Sequence, residues 1–169
     1  MANTYEAIAT VTVGSGGAAT MEFTSIPQTY TDLVVKYSGR LAANVDSTTK
    51  INFNGNTANY SNIVLYGNGS APFSFTNTPG YAYGGLVNNS ANTANTFSNA
   101  EIYISNYTSS NNKAISLDTV QETNGTEAYA MLSASLWSNS SAITSITLDP
   151  INADFAQYST ATLYGIKNS

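Results

Sequence analysis

Side chains able to move a proton or hold a metal are few in this chain. Its 169 residues include ten acids and five bases, with neither histidine nor cysteine. Without Cys there is no thiol nucleophile, disulfide or thiolate metal site, and without His the commonest general base and transition-metal ligand is missing. Two carboxylate pairs remain. Asp149 and Asp154 flank Pro150, and Glu122 and Glu127 flank Asn124-Gly125. A glycosidase needs two carboxyls about 5–10 Å apart across a sugar, and either pair is close enough in sequence to meet that by accident. Acids at such places also shape turns through bonds to the backbone. The ten are spread along the chain instead of gathered, so no catalytic residue is assigned and the protein reads as a non-enzyme. A serine nucleophile has no His partner and no Gly-x-Ser-x-Gly setting. Gly14-Ser15-Gly16-Gly17 is followed by neither Lys-Ser/Thr nor a helix, and reads as a hairpin loop. Calcium is the metal that hard oxygen ligands would suit, but no Asp-x-Asp-x-Asp run occurs, so neither metal nor cofactor is expected.

Binding chemistry is better represented. Phe73, Phe75, Tyr81 and Tyr83 fall in a long segment, Gly67 to Asn99, that shows little regular pattern apart from a short strand around Tyr81 to Val87. Segments of that length are often functional in compact domains. These rings could form a flat platform for a sugar, with the Asn-rich stretch Asn88 to Asn95 fixing hydroxyls. They could equally anchor a protein partner, because Tyr is enriched at interface hot spots, or pack beneath a loop. Tyr5 lies in the amino-terminal segment Met1 to Glu6, an arm that could add to a neighbouring sheet edge. Trp137, ending an alternating run, reads as a core or rim residue.

The elements that would carry these residues are strands. Ala7, Ala9, Val11 and Val13 alternate with Ile8, Thr10 and Thr12; Met21 and Phe23 follow, then Leu33, Val35, Tyr37 and Leu41. Ile51 and Phe53, Ile63 to Tyr66, Ile102 and Ile104, Ile115 and Leu117, Ile143 to Leu148 and Thr160 to Ile166 continue the series. From Glu127 to Trp137 the residues Ala128, Ala130, Leu132, Ala134 and Leu136 share one face. A period of two is the signature of a strand with differing faces, and it outweighs the helix-favouring Ala, Leu and Met of this last run. About eight to ten strands separated by Gly/Asn/Ser turns, Asn54-Gly55 among them, predict an all-β protein. The expected fold is one antiparallel β-sandwich domain of jelly-roll type over 1–169.

Asn, Ser and Thr number 21, 21 and 22, whereas charged residues are only 9%. That abundance by itself accounts for six Asn-x-Ser/Thr triplets. A net charge of −5 with five scattered bases offers no counterion-releasing patch for nucleic acid. No apolar run reaches the roughly 18 residues of a membrane span, and Met1 to Thr10 lacks the layout of a secretion signal. A face of neutral hydroxyls and amides can pack closely against another surface without the desolvation cost of charge.

The phrases Asn52-Phe53-Asn54-Gly55-Asn56, Asn59-Tyr60-Ser61 and Leu65-Tyr66-Gly67-Asn68-Gly69-Ser70 resemble a pattern of small virion proteins of tailed phages, often cyanobacterial or other aquatic phages. The run from Trp137 to Leu148, with Phe155 and Thr162-Leu163-Tyr164-Gly165-Ile166, is similar to that group's carboxyl-terminal signature. The likeness spans roughly residues 33 to 166. Where the group often has Asp after Asn-Gly, this chain has Asn56, which argues against a metal at that turn. The resemblance implies a jelly-roll structural protein of the virion. The expected role is capsid decoration (cement), a homotrimer clamping the major capsid protein on the capsid exterior after synthesis in the host cytoplasm. The contact residues would be Tyr5, Phe73, Phe75, Tyr81 and Tyr83. The alternative is a tail-associated protein binding a host glycan or receptor.

Overall fold

The computed structural model describes residues 4–125 and 128–167, and among them no helix forms. The strands are β1 (Tyr5–Thr12), β2 (Met21–Phe23), β3 (Asp32–Gly39), β4 (Ser47–Phe53), β5 (Tyr60–Gly67), β6 (Pro72–Asn77), β7 (Ala82–Val87), β8 (Ser98–Ile104), β9 (Lys113–Gln121), β10 (Tyr129–Trp137), β11 (Ile146–Pro150) and β12 (Thr160–Ile166). The β-rich composition and period-two patterning therefore produce an all-β fold, with twelve antiparallel strands in two sheets. The large sheet has the order β1-β12-β3-β8-β9-β10-β5-β6 and the small one β2-β11-β4-β7. Met21, Phe23, Ile51, Phe53, Ile146 and Leu148 from the small sheet meet Leu33, Val35, Tyr37, Ile102, Ile104, Ile115, Leu117 and Leu163 from the large one in one buried core. Sheets that each present an apolar face are stable only when those faces meet.

Two features depart from strict alternation. In β1 the register with β12 shifts between Ala7 and Ala9, and the partly buried residues are Ile8 and Val11, not Ala7 and Ala9. One bulged residue reverses the facing of everything before it, so the apolar set expected from Ala7 onward is split. The second departure concerns Gly67 to Asn99. The segment is not one irregular loop: Phe73 and Phe75 lie on β6, which pairs with β5 in unbroken register from Asn62↔Asn77 to Gly67↔Pro72. Tight turns hide this strand from the sequence, because Asn68 turns the chain by accepting from the backbone N–H groups of Ser70 and Ala71, both at 3.0 Å.

The Asn-rich stretch after β7 is ordered by one cation. The Arg40 guanidinium donates to the carbonyls of Thr93 (3.0 Å), Thr96 (2.8 Å) and Asn92 (3.0 Å). Asn89, itself buried, accepts from the N–H groups of Ala91 and Asn92. Tyr5 and Glu6 pair with Ile166 and Gly165 within the chain, which narrows the arm expected over 1–6 to residues that precede β1; residues 1–3 lie outside the described ones.

Candidate functional site

β9, β10, β5 and β6 make up one half of the large sheet, and on β10 and part of β5 polar side chains are buried while aliphatic ones face solvent. Facing inward on β10 are Met131, Ser133, Ser135 and Trp137, while Leu132 faces out at 59% exposure. On β5, Tyr60, Asn62 and Val64 face in, and Ile63 and Leu65 face out at 62% and 51%. The apolar face that the alternation marks on residues 128–136 is thus the one left to solvent. Register aligns these side chains: Leu132 stands opposite Leu65, Ala134 opposite Ile63, and Ala130 opposite Val120's strand position. Leu65, Val120, Ala130 and Leu132 floor a shallow groove of about 670 Å³ bounded by the 69–72 turn, and Ile63 and Ala134 lie in a second depression of about 530 Å³ that shares Leu65 and Leu132 with it.

Charge enters at one side only. A single cross-strand row runs Lys36–Glu101–Asp118–Leu132–Leu65–Ser74 over six strands. Lys36 Nζ lies 2.8 Å from Glu101 Oε2, and that carboxylate raises the lysine pKa. Asp118 stands between this pair and the aliphatic floor. The outer face therefore grades from a charged side on β3 and β8 to a purely aliphatic one on β10 and β5.

The inward side of the extension is held by a polar network. Asn62 Nδ2 donates to Asn77 Oδ1 (2.9 Å) and to the Tyr81 carbonyl (3.2 Å). Its Oδ1 accepts from the Tyr83 N–H (3.1 Å) and from Ser135 Oγ (2.5 Å). A buried amide that satisfies four groups fixes the extension on β7, since breaking any bond leaves a desolvated polar atom.

Of the residues singled out for binding, Phe73, Phe75 and Tyr83 do come together. They join Tyr66 and Tyr129, whose part the sequence reading missed because these rings are neighbours only through strand register. Phe73 stacks on Tyr66 at 5.1 Å, Phe75 meets Tyr83 edge-on at 5.4 Å, and Tyr66 lies 6.2 Å from Tyr129. These rings pack on one another, one pair stacked and the others edge-on or tilted. Burial pushes the Tyr83 phenol up to about 12. Tyr81 contributes its carbonyl to the Asn62 network. Tyr5 is elsewhere, on β1, edge-on to Tyr164 at 6.4 Å. Trp137 is a core residue, packed with Tyr60 and Phe53 at 6.1 and 5.5 Å.

Of the carboxylates singled out as possible acid pairs, Asp149 and Glu122 have local partners. Asp149 pairs with Lys50 at 2.7 Å across β11 and β4, and Glu122 accepts from the Asn124 N–H at 2.7 Å in its own turn. Asp154 is exposed beside the bridge of Phe155 to Ala18, and Glu127 lies outside the described residues. Among the described residues no three Asp or Glu gather in a metal-holding group. Comparison with family models, curated proteins and solved structures finds no match to the chain.

Proposed function

We propose that this protein is a non-enzymatic structural component of a phage virion, a capsid decoration protein that docks on the major capsid protein through the outer face of β5, β9 and β10. One observation carries the reading: Ile63, Leu65 and Leu132 are more than half exposed and adjacent, while Ser133, Ser135 and Asn62 are buried behind them. Where a strand pair buries polar side chains and turns aliphatic ones outward, the aliphatic ones stay in water unless another surface covers them. The floor is mainly aliphatic, and Tyr66, the one ring among its lining residues, is stacked on Phe73, which suits a protein surface and not a sugar. The rings that could have served a glycan pack into one cluster with Tyr66 instead of presenting a flat platform. Asp118 at the groove's edge adds a place for a cation, so the complementary shell surface would present an apolar patch with Lys or Arg beside it.

The strand order supports the finer, jelly-roll reading of the fold. β1-β12-β3-β8 in one sheet and β2-β11-β4-β7 in the other is the interleaving of an eight-strand double Greek key, with the β5–β6 and β9–β10 hairpins added to one sheet. On this reading the frame supplies rigidity and the two hairpins supply the adhesive face. Many weak contacts, repeated by the symmetry of a shell, would then sum to strong attachment. The test is to titrate the purified protein onto heads that lack it. Saturable binding, and heads that withstand higher temperature and sharper osmotic shock once coated, are expected. Binding to detached tails or to host polysaccharide in place of heads would refute the assignment.

A further inference from the structure

Four strands end the two sheets, and three of them are blunted. β1 carries a bulge at Ile8 and the Glu6 carboxylate beside Lys167. β2 is three residues long. β7 is largely buried, and groups along it are taken by side chains of the large sheet: Tyr37 Oη donates to the Gly84 carbonyl at 2.8 Å, Gln121 Nε2 to the Val87 carbonyl at 3.3 Å, and the Tyr83 N–H donates to Asn62. Charges, bulges, brevity and cover are the devices by which sheet edges avoid pairing with other chains. β6 has none of these four, and the one edge-blunting residue it carries, Pro72, stands at its first position. Its six residues, Pro72–Asn77, keep regular register with β5, carry no charge, and are mostly exposed, Phe73 at 41%.

We propose that β6 pairs with β6 of a second copy of this chain, antiparallel about a two-fold axis, joining the two large sheets into one. A two-fold is favoured because self-pairing needs only this one open edge, whereas a ring would require β6 to find a different open edge on its neighbour. Antiparallel partners that face each other point to the same side of the sheet, so the permitted registers join residues of equal parity. Placing Ser74 opposite its own copy sets Phe73 of each chain across from Phe75 of the other, on the face where both already meet Tyr66. Cross-strand aromatic pairs are among the more stabilising in sheets. A six-residue edge is a small interface, below the size of stable complexes, so the pairing is a concentration-dependent equilibrium with a dissociation constant of roughly 10 to 100 µM. The proposal stands apart from the capsid assignment, since it uses the edge and leaves the aliphatic groove open.

Sedimentation equilibrium of the purified chain tests it. The mass should rise from one chain to two across that concentration range. Ser74→Lys combined with Thr76→Lys, both on exposed positions, should weaken association at least tenfold with an unchanged circular dichroism spectrum, while Thr12→Lys on β1 should leave it as it was. The chain has no Cys, so Ser74→Cys introduces a single thiol. It should yield a covalent dimer on mild oxidation, where Thr12→Cys does not. A wild-type protein that stays at one chain's mass, a three-chain species, association unaffected by the paired lysines, or no cross-link through residue 74 would each overturn the proposal.

Discussion

Substituting Thr for Ile63, Leu65 and Leu132 together should weaken docking roughly a hundredfold while leaving the fold intact. Each change removes two side-chain carbons and adds a hydroxyl, and Thr keeps the strand preference of the site. Six carbons at about 0.8 kcal/mol per buried CH₂ amount to about 5 kcal/mol for complete transfer from water. The three side chains are 62%, 51% and 59% exposed in the free protein, so only a little over half of that remains to be gained on docking. About 3 kcal/mol of binding free energy should therefore be lost, which is roughly a hundredfold in affinity. By the same count the part already buried in the free protein, about 2 kcal/mol over the three side chains, is what the isolated chain should lose in unfolding free energy. Urea unfolding and co-sedimentation with heads, measured on one preparation, separate the two effects. Equal head binding by the triple variant and the wild type would refute the assignment of this face. A drop in stability well beyond about 2 kcal/mol would show that these side chains chiefly support the monomer and are not held in reserve for a partner.

Removing the Asn62 amide is the complementary case. Asn62→Leu should destabilise the chain by about 2–4 kcal/mol in urea unfolding, because four bonding groups on three neighbouring elements lose a buried partner; a change under 1 kcal/mol would mean water replaces the amide. Gly85→Ala should cost about 2–4 kcal/mol by the same measurement, since φ is +86° there and a Cβ would lie 2.3 Å from Thr119 Oγ1. Tyr37 and Tyr60 have phenols pushed up to about 12 by burial. Their folded pKa exceeds the unfolded value of about 10, so the stability they contribute is complete below pH 10 and is lost as pH rises through about 12, at up to roughly 1.4 kcal/mol per pH unit for each ring. Alkaline titration should show phenolate absorbance from these rings appearing together with unfolding, and ionisation at pH 10 in an intact fold would contradict their burial.

Much of the fold was legible in residue order. Turn residues and period-two runs located most of the strands, and Asn54-Gly55 forms the turn its dipeptide suggests, with positive φ of 53° and 65°. Asn54 also pins that turn to the 142–145 segment through its side chain, accepting from the Thr144 and Ser145 N–H groups at 2.8 and 3.1 Å. That long-range contact has no local signature. The aromatic site was legible in part: Phe73, Phe75 and Tyr83 were picked out by type, but Tyr66 and Tyr129 become their neighbours only through pairing across β5, β6 and β10.

What residue order by itself determined is which side chains share a face, because alternate positions on a strand must point the same way. It could not determine which face is inside. That choice belongs to the sheet as a whole, and depends on where the second sheet ends and what lies behind each strand. For β2, and for Ile115 and Leu117 of β9, the apolar residues are the buried ones, so local pattern and tertiary burial agree. For β10 they disagree, because Ser133, Ser135 and Asn62 find one another and β7 on the inward side, and the aliphatic residues are left outside. The bulge at Ile8 works in the same way on a smaller scale, since one extra residue resets the facing and only pairing with β12 reveals it.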